Sequence, residues 1–195
     1  MSKSESIKKS LIKDGVSPVD SWFSQLIIKT LPFWHKIKAT PNILTTLGLI
    51  TSILCIYFIY KRRMYLAIIC LILRTYFDYA DGLLARKYKQ SSKFGDYYDH
   101  IVDLFFFGIP LFLVFFFSEL RILVIPIILC FIITTLYNIG IEKEHNKKTG
   151  KGGNLLFGSF LPTPKIINKY WADVYAYVVY IILIIILCVK YPKRS

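Results

Sequence analysis

Long apolar runs alternate with short charged clusters along most of the chain. TPNILTTLGLITSILCIYFIY (40–60) is closed by KRR (61–63), and further apolar stretches run over about 64–86, 95–117, 120–139 and 174–189. Apolar runs of this length cross a bilayer as helices. The pattern therefore predicts an all-α fold, a polytopic transmembrane helix bundle. Between the last two runs, GGNLLFGSFLPTPKIINKYWAD (152–173) is apolar only in short pieces and carries Pro162 and Pro164. That leaves five to six spans. Ahead of the first span, residues 19–31 place Trp22, Phe23, Leu26, Ile27 and Thr30 at helical spacing, with Lys29 among the polar positions. Such a stretch predicts an amphipathic interfacial helix lying on the membrane. The expected organisation is a cytosolic tail and interfacial helix over 1–38, then a transmembrane domain over 39–195.

Composition sharpens the class. The 195 residues are 55% hydrophobic, with a mean hydropathy of +0.50, above what a soluble domain carries. The net charge of +13 is spread in short clusters between apolar runs. That arrangement suits an anionic lipid surface and speaks against nucleic acid as a partner. With six spans and a cytosolic N-terminus, 18 Lys and Arg residues fall on the cytosolic side and 6 opposite; with five spans the division is 17 to 7. Both divisions place the N-terminus and the segment 78–103 in the cytosol. The N-terminal stretch has no apolar core of the kind a cleavable signal peptide needs. Cys55, Cys70, Cys130 and Cys188 all sit in apolar runs without metal-ligand spacing, so they are expected as buried free thiols.

The charged exception is DYADGLLARKYKQSSKFGDYYDHIVD (78–103), which holds five of the chain's twelve acidic residues at the edge of two predicted spans. An ionised carboxylate there costs on the order of 2–3 kcal/mol. On a helical projection, Asp78, Asp81, Gly82, Ala85 and Arg86 share an arc of about 140°, and Gly95, Asp99 and Asp103 one of about 80° on the next helix. KYKQSSKF (87–94) is polar enough to turn the chain between them. Two antiparallel helices would thus face four carboxylates toward one another. Oxygen-only ligation suits Mg²⁺ or Mn²⁺, and four carboxylates suffice for one or two ions. Mg²⁺ keeps positions open for phosphates, which points to a phosphorylated substrate. Arg86 adds a planar cation suited to phosphate.

The spacing Asp78-x2-Asp81-Gly82-x2-Ala85-Arg86-x8-Gly95-x3-Asp99-x3-Asp103 resembles, position for position, the signature of the CDP-alcohol phosphotransferase (phosphatidyltransferase) family. The entry to the first span, Pro41-Asn42-x-x-Thr45, is also similar to that family's first helix. The resemblance implies a membrane enzyme of phospholipid biosynthesis that moves a phosphatidyl or phospho-alcohol group from a CDP-linked donor to an acceptor hydroxyl and releases CMP. It implies two Mg²⁺ or Mn²⁺ ions held by Asp78, Asp81 and Asp99, with Asp103 as the catalytic carboxylate that also touches a metal. Gly82, Ala85, Arg86 and Gly95 would line the CDP site, and members commonly form homodimers.

Two substrate branches stay open within that class. The compact length favours CDP-diacylglycerol with a small polar alcohol. Ser91-Ser92 before Gly95, the Asp99-His100 pair and PNILTTLGL look more like CDP-choline or CDP-ethanolamine with diacylglycerol. Outside the class, a divalent-cation transporter would need acidic residues through the bilayer depth, and an inactive membrane scaffold would have lost a signature residue. Arg74 is expected either to pair with Asp78 one turn on or to meet a substrate phosphate. Asp96 reads as a solvated charge at a loop end, His100 as lying off the carboxylate line, and His35 and His145 as surface residues. The segment 147–154 reads as a solvated loop, and LFFFGIPLFLVFFF (104–117) as lipid-facing.

Overall fold

The computed structural model describes residues 16–117, 122, 124–149 and 171–190, and apart from short turns these are helical throughout. Five long helices form the body: α3 (Pro41–Tyr60), α4 (Met64–Lys87), α5 (Lys93–Phe117), α6 (Val124–Thr149) and α7 (Asp173–Lys190). Two shorter ones, α1 (Pro18–Ile28) and α2 (Leu31–Lys36), precede them. The undecided stretch 152–173 lies outside the described residues but for its last three. Among the described residues, α3 alone is long and apolar enough by composition to cross a membrane, with 20 residues and a mean hydropathy of 2.1.

The starts of α1 and α3 follow from local chemistry. Ser17 and Thr40 are N-caps whose hydroxyls accept from the amides of Asp20 and Ile43, and each is followed by a proline in the first turn. There the missing N–H costs nothing. At the other end, α6 runs ten residues past the expected boundary, through Ile141–Thr149. The apolar run ends there, but glutamate and lysine are good helix formers and carry the helix on.

The central helix is α4. It packs along α3 and also meets α1, α2 and α7, whereas α4 and α5 approach each other less closely than either approaches α3. One apolar cluster joins α1, α2, α3 and α4 through Ile27, Leu31, Leu44, Leu83 and Leu84. A second joins α3, α4, α5 and α7 through Cys55, Leu71, Phe106 and Tyr180. Cys55, Cys70 and Cys130 are buried free thiols; packing as small hydrophobes is what their surroundings allow. Outward, Ile50 and Ile53 on α3, Ile69 and Ile72 on α4, Ile101 on α5, Ile128 and Ile132 on α6, and Val178 and Ile182 on α7 are exposed. An apolar exterior on every long helix is what a lipid solvent matches.

The α1 face turned toward the bundle carries Asp20, Ser24, Ile27 and Ile28, while Trp22 is 62% exposed and Leu26 points outward as well. The Asp20 carboxylate accepts from Tyr79 and Tyr137 at 2.8 Å each, which sets the rotation of the helix. One expectation needs correction: the phenylalanine cluster as a whole does not face lipid. Phe106 is fully buried and packs on Tyr180, with ring centroids 5.0 Å apart. The side chains of 109–117 lie outside the described set.

Candidate active site

The signature residues gather where α4 and α5 diverge. Asp78, Asp99 and Asp103 bring one carboxylate oxygen each to within 4.8 Å of one another. Asp81, one turn after Asp78, stands apart from that group and is held by α3, whose Thr45 donates a 2.6 Å hydrogen bond to Asp81 Oδ2. Thr45 and Asp81 are both buried. The entry motif of α3 therefore has a physical task, since its threonine fixes a carboxylate on the neighbouring helix.

Arg74 resolves toward the carboxylates. It is 1% exposed, its Nη1 lies 2.7 Å from Asp78 Oδ1, and its Nη2 bonds Asp103 Oδ1. The intrahelical pair expected one turn along α4 forms, and a second pair across to α5 forms with it. Asp78 Oδ2 in turn accepts from Tyr177 of α7 at 2.9 Å. Asp99 Oδ1 is different: it is buried and has no hydrogen-bond partner among the described residues.

A cavity of about 240 Å³ opens beside this cluster. Gly82, Ala85, Arg86 and Gly95 all line it, together with Asp81 and Asp99. Gly95 allows α5 to come close to the start of α3, because a Cβ there would sit 2.8 Å from Asn42 Oδ1. Asp96 also lines the cavity, and in the first turn of α5 its side chain is 59% exposed, the solvated charge expected. His100 is 66% exposed and its Nδ1 lies 2.7 Å from the Asp96 carbonyl oxygen, off the carboxylate line. His35 is exposed on α2 and stacks on Tyr88, with ring centroids 3.8 Å apart. The side chain of His145 lies outside the described set; of the expected loop 147–154, residues 147–149 continue α6 instead, and 150–154 lie outside the described residues.

A buried carboxylate oxygen without a donor, as at Asp99 Oδ1, calls for a cation. Three converging oxygens from hard ligands, one of them orphaned, fit Mg²⁺ or Mn²⁺, so the donor set passes the chemical test for a divalent ion.

The sequence profile of the CDP-alcohol phosphatidyltransferase family matches residues 38–191. The chain belongs to that family. CDP-alcohol phosphatidyltransferases are membrane-integral, metal-using transferases of phospholipid biosynthesis, and the Asp78–Asp99–Asp103 cluster is where this chain has the donor set for such a metal. Among relatives, an uncharacterised protein of Aquifex aeolicus is 32% identical over 89 residues, covering 46% of this chain and 45% of that protein. The archaetidylinositol phosphate synthase of Pyrococcus horikoshii is 39% identical over 64 residues, 33% of this chain and 34% of its own length. These matched stretches thus span less than half of either relative. Among solved structures, the phosphatidylinositol phosphate synthase of Mycobacterium tuberculosis is similar at 19% identity. Its complex with manganese and citrate aligns with a TM-score of 0.43 over 84% of this chain and 86% of that one. The form with bound CDP-DAG gives 0.44 over 85% and 91%.

Spacing alone did not mark two partners of the site. Tyr177 lies 99 residues from Asp78, in a run that reads as plain transmembrane helix. Its phenol within an apolar stretch is the one available signal, since a buried tyrosine hydroxyl seeks an acceptor. Asp20 carried no motif either, though an acidic residue on the apolar side of an amphipathic helix is itself anomalous.

Proposed function

We propose that this chain transfers a phosphatidyl group from a CDP-linked lipid donor to an acceptor hydroxyl and releases CMP. CDP-diacylglycerol with a small polar alcohol is the favoured pair. The observation that carries the reading is the juxtaposition of three converging carboxylates with a polar cavity lined by Gly82, Ala85, Arg86 and Gly95. In this reading Asp78, Asp99 and Asp103, with Asp81 adjacent, hold the divalent metal. A bound Mg²⁺ or Mn²⁺ would supply charge neutralisation to the diphosphate.

The chain's own residues do the rest. Arg86 offers a planar fork to a phosphate, and the missing side chains at Gly82 and Gly95 leave room for the nucleotide. Asp103 takes the proton of the acceptor hydroxyl as its oxygen attacks the phosphorus of the lipid phosphate. The bond from that phosphorus to the bridging oxygen breaks, and CMP leaves with the electron pair. Arg74 holds Asp103 Oδ1, which leaves Oδ2 for the proton. Low-dielectric surroundings strengthen each of these contacts.

Three further supports bear on substrate and placement. The P. horikoshii relative is named for an inositol phosphate product, which favours the polar-alcohol branch. His100 is exposed, its Nδ1 lies against the Asp96 carbonyl one turn back on its own helix, and it does not line the cavity, which weakens one argument for the aminoalcohol branch. The charge bias of the loops puts the site on the cytosolic face of a domain over 39–195, behind an interfacial segment over 1–38.

The test is CMP release by purified, detergent-solubilised protein with Mg²⁺ or Mn²⁺. CDP-diacylglycerol is offered with a panel of polar alcohols and alcohol phosphates, and CDP-choline or CDP-ethanolamine with diacylglycerol. CMP is expected from CDP-diacylglycerol. Asp103→Asn is expected to lower turnover by at least about 100-fold while CDP-ligand binding persists. Release from CDP-choline alone would move the chain to the other branch. Unchanged turnover in Asp103→Asn would remove the base assignment.

A further inference from the structure

Three signature aspartates converge, and of the two arginines nearby Arg86 lines the cavity beside Asp81 while Arg74 reaches into the cluster itself. Arg74 stays protonated at any relevant pH, is 1% exposed, and bridges Asp78 and Asp103. Its position is walled. A Cβ at Gly48 of α3 would lie 3.6 Å from Arg74 Cδ and Nη1, an ordinary packing distance, so α3 backs closely onto the guanidinium. On another side, the Phe106 ring centroid is 5.6 Å from the guanidinium carbon. A cation fixed by its neighbours on two helices does not swing aside for an incoming ion.

We infer that Arg74 takes the part of one of the two expected divalent ions, so that this site holds a single exchangeable metal. The inference rests on the reading of the aspartate cluster as a metal site. Two-ion sites place their metals about 3.5–4 Å apart, both stabilising the same displacement, and carboxylates shared between the ions would have to hold them there. Here the guanidinium bonds Asp78 Oδ1 and Asp103 Oδ1, which takes one oxygen of each carboxylate from any shared ion. Asp78 Oδ2 already accepts from Tyr177. The fourth carboxylate, Asp81, is held by Thr45 and lies outside the converging group. What remains is one convergence point, with Asp99 Oδ1 buried and unpartnered beside it.

The experiment counts metal. The full-length protein in detergent is stripped with EDTA and titrated with Mn²⁺, the free ion being followed by its electron paramagnetic resonance signal. One Mn²⁺ per wild-type chain is expected, with Arg74→Lys keeping one and Arg74→Gln taking up a second. Two ions on the wild-type chain would overturn the inference and leave the metal reading standing, whereas none would overturn both. An Arg74→Gln protein that unfolds at the wild-type temperature yet stays at one ion would also overturn it. Should Arg74→Gln fail to fold, the wild-type count still decides.

Discussion

Tyr177 and Asp20 each tie the signature segment to a distant part of the chain by a hydroxyl–carboxylate bond. Tyr177 donates to Asp78 from α7. An outer hydrogen bond of this kind orients a metal ligand, and its loss costs about 10- to 100-fold in metal affinity. Tyr177→Phe is therefore expected to weaken Mn²⁺ binding by at least tenfold, as read by calorimetric titration, with little change in unfolding temperature. Equal affinities would leave the tyrosine as packing alone. Asp20 is 3% exposed and accepts from Tyr79, Tyr137 and Ser17, and Tyr79 directly follows Asp78 in sequence. Hydrogen bonds to a charged partner are worth about 1.5–3 kcal/mol. Asp20→Ala removes the acceptor that Tyr79 and Tyr137 share and is expected to cost about 2–3 kcal/mol, seen as a lower unfolding temperature in detergent, with partial recovery in Asp20→Asn. The eight signature residues were legible because helical spacing alone puts them on facing arcs. Their partners were not, because a contact between residues 20 and 137 has no local trace in the sequence.

Helix endings give a second kind of test. Three helices end in a basic residue with positive φ: Lys38 after α2, Arg62 after α3 and Lys89 after α4, at 57°, 57° and 55°. The bonds follow the Schellman pattern: Ala39 N donates to Trp34 O, Arg63 N to Phe58 O and Gln90 N to Ala85 O. Glycine is the usual occupant of this left-handed position. A side chain there costs about 1–2 kcal/mol, partly offset by a cation near the negative helix end. Lys38→Gly, which is exposed and away from the cavity, is expected to stabilise the protein by roughly 0.5–1 kcal/mol, read as a rise in unfolding temperature; a fall would mean that the charge outweighs the strain. These stops explain which boundaries could be read. The apolar run of α3 ends at a charge cluster that is also its cap, so pattern and structure agree. In α6 the apolar run and the helix end at different places, because burial determines the first and propensity the second.

Across the described residues, the long helices stand where periodicity put the apolar runs, whereas the order of packing could not be read from it. Nothing in the pattern says that α4 is central or that α4 and α5 part to leave a cavity. Orientation is the remaining property that charge alone predicts. The 24 residues of α4 rise about 36 Å at 1.5 Å each, more than the roughly 30 Å hydrocarbon core. The sequence pattern thus predicts the turns at 61–63 and 88–92 on opposite sides of a bilayer. Lys and Arg concentrate on the side of the second turn, and anionic inner leaflets retain such loops. In a background with all four native cysteines changed to alanine, Lys89→Cys is expected to react with a membrane-impermeant maleimide in inverted vesicles only, and Arg62→Cys in right-side-out vesicles only. The reverse pattern would place the cavity outside the cell and away from cytosolic nucleotide, so a CDP-linked donor could no longer reach it from the side where CMP would be recycled. Labelling of both positions from one side would mean that α4 does not cross at all, and the carboxylates would then lie at an interface instead of at the end of a span.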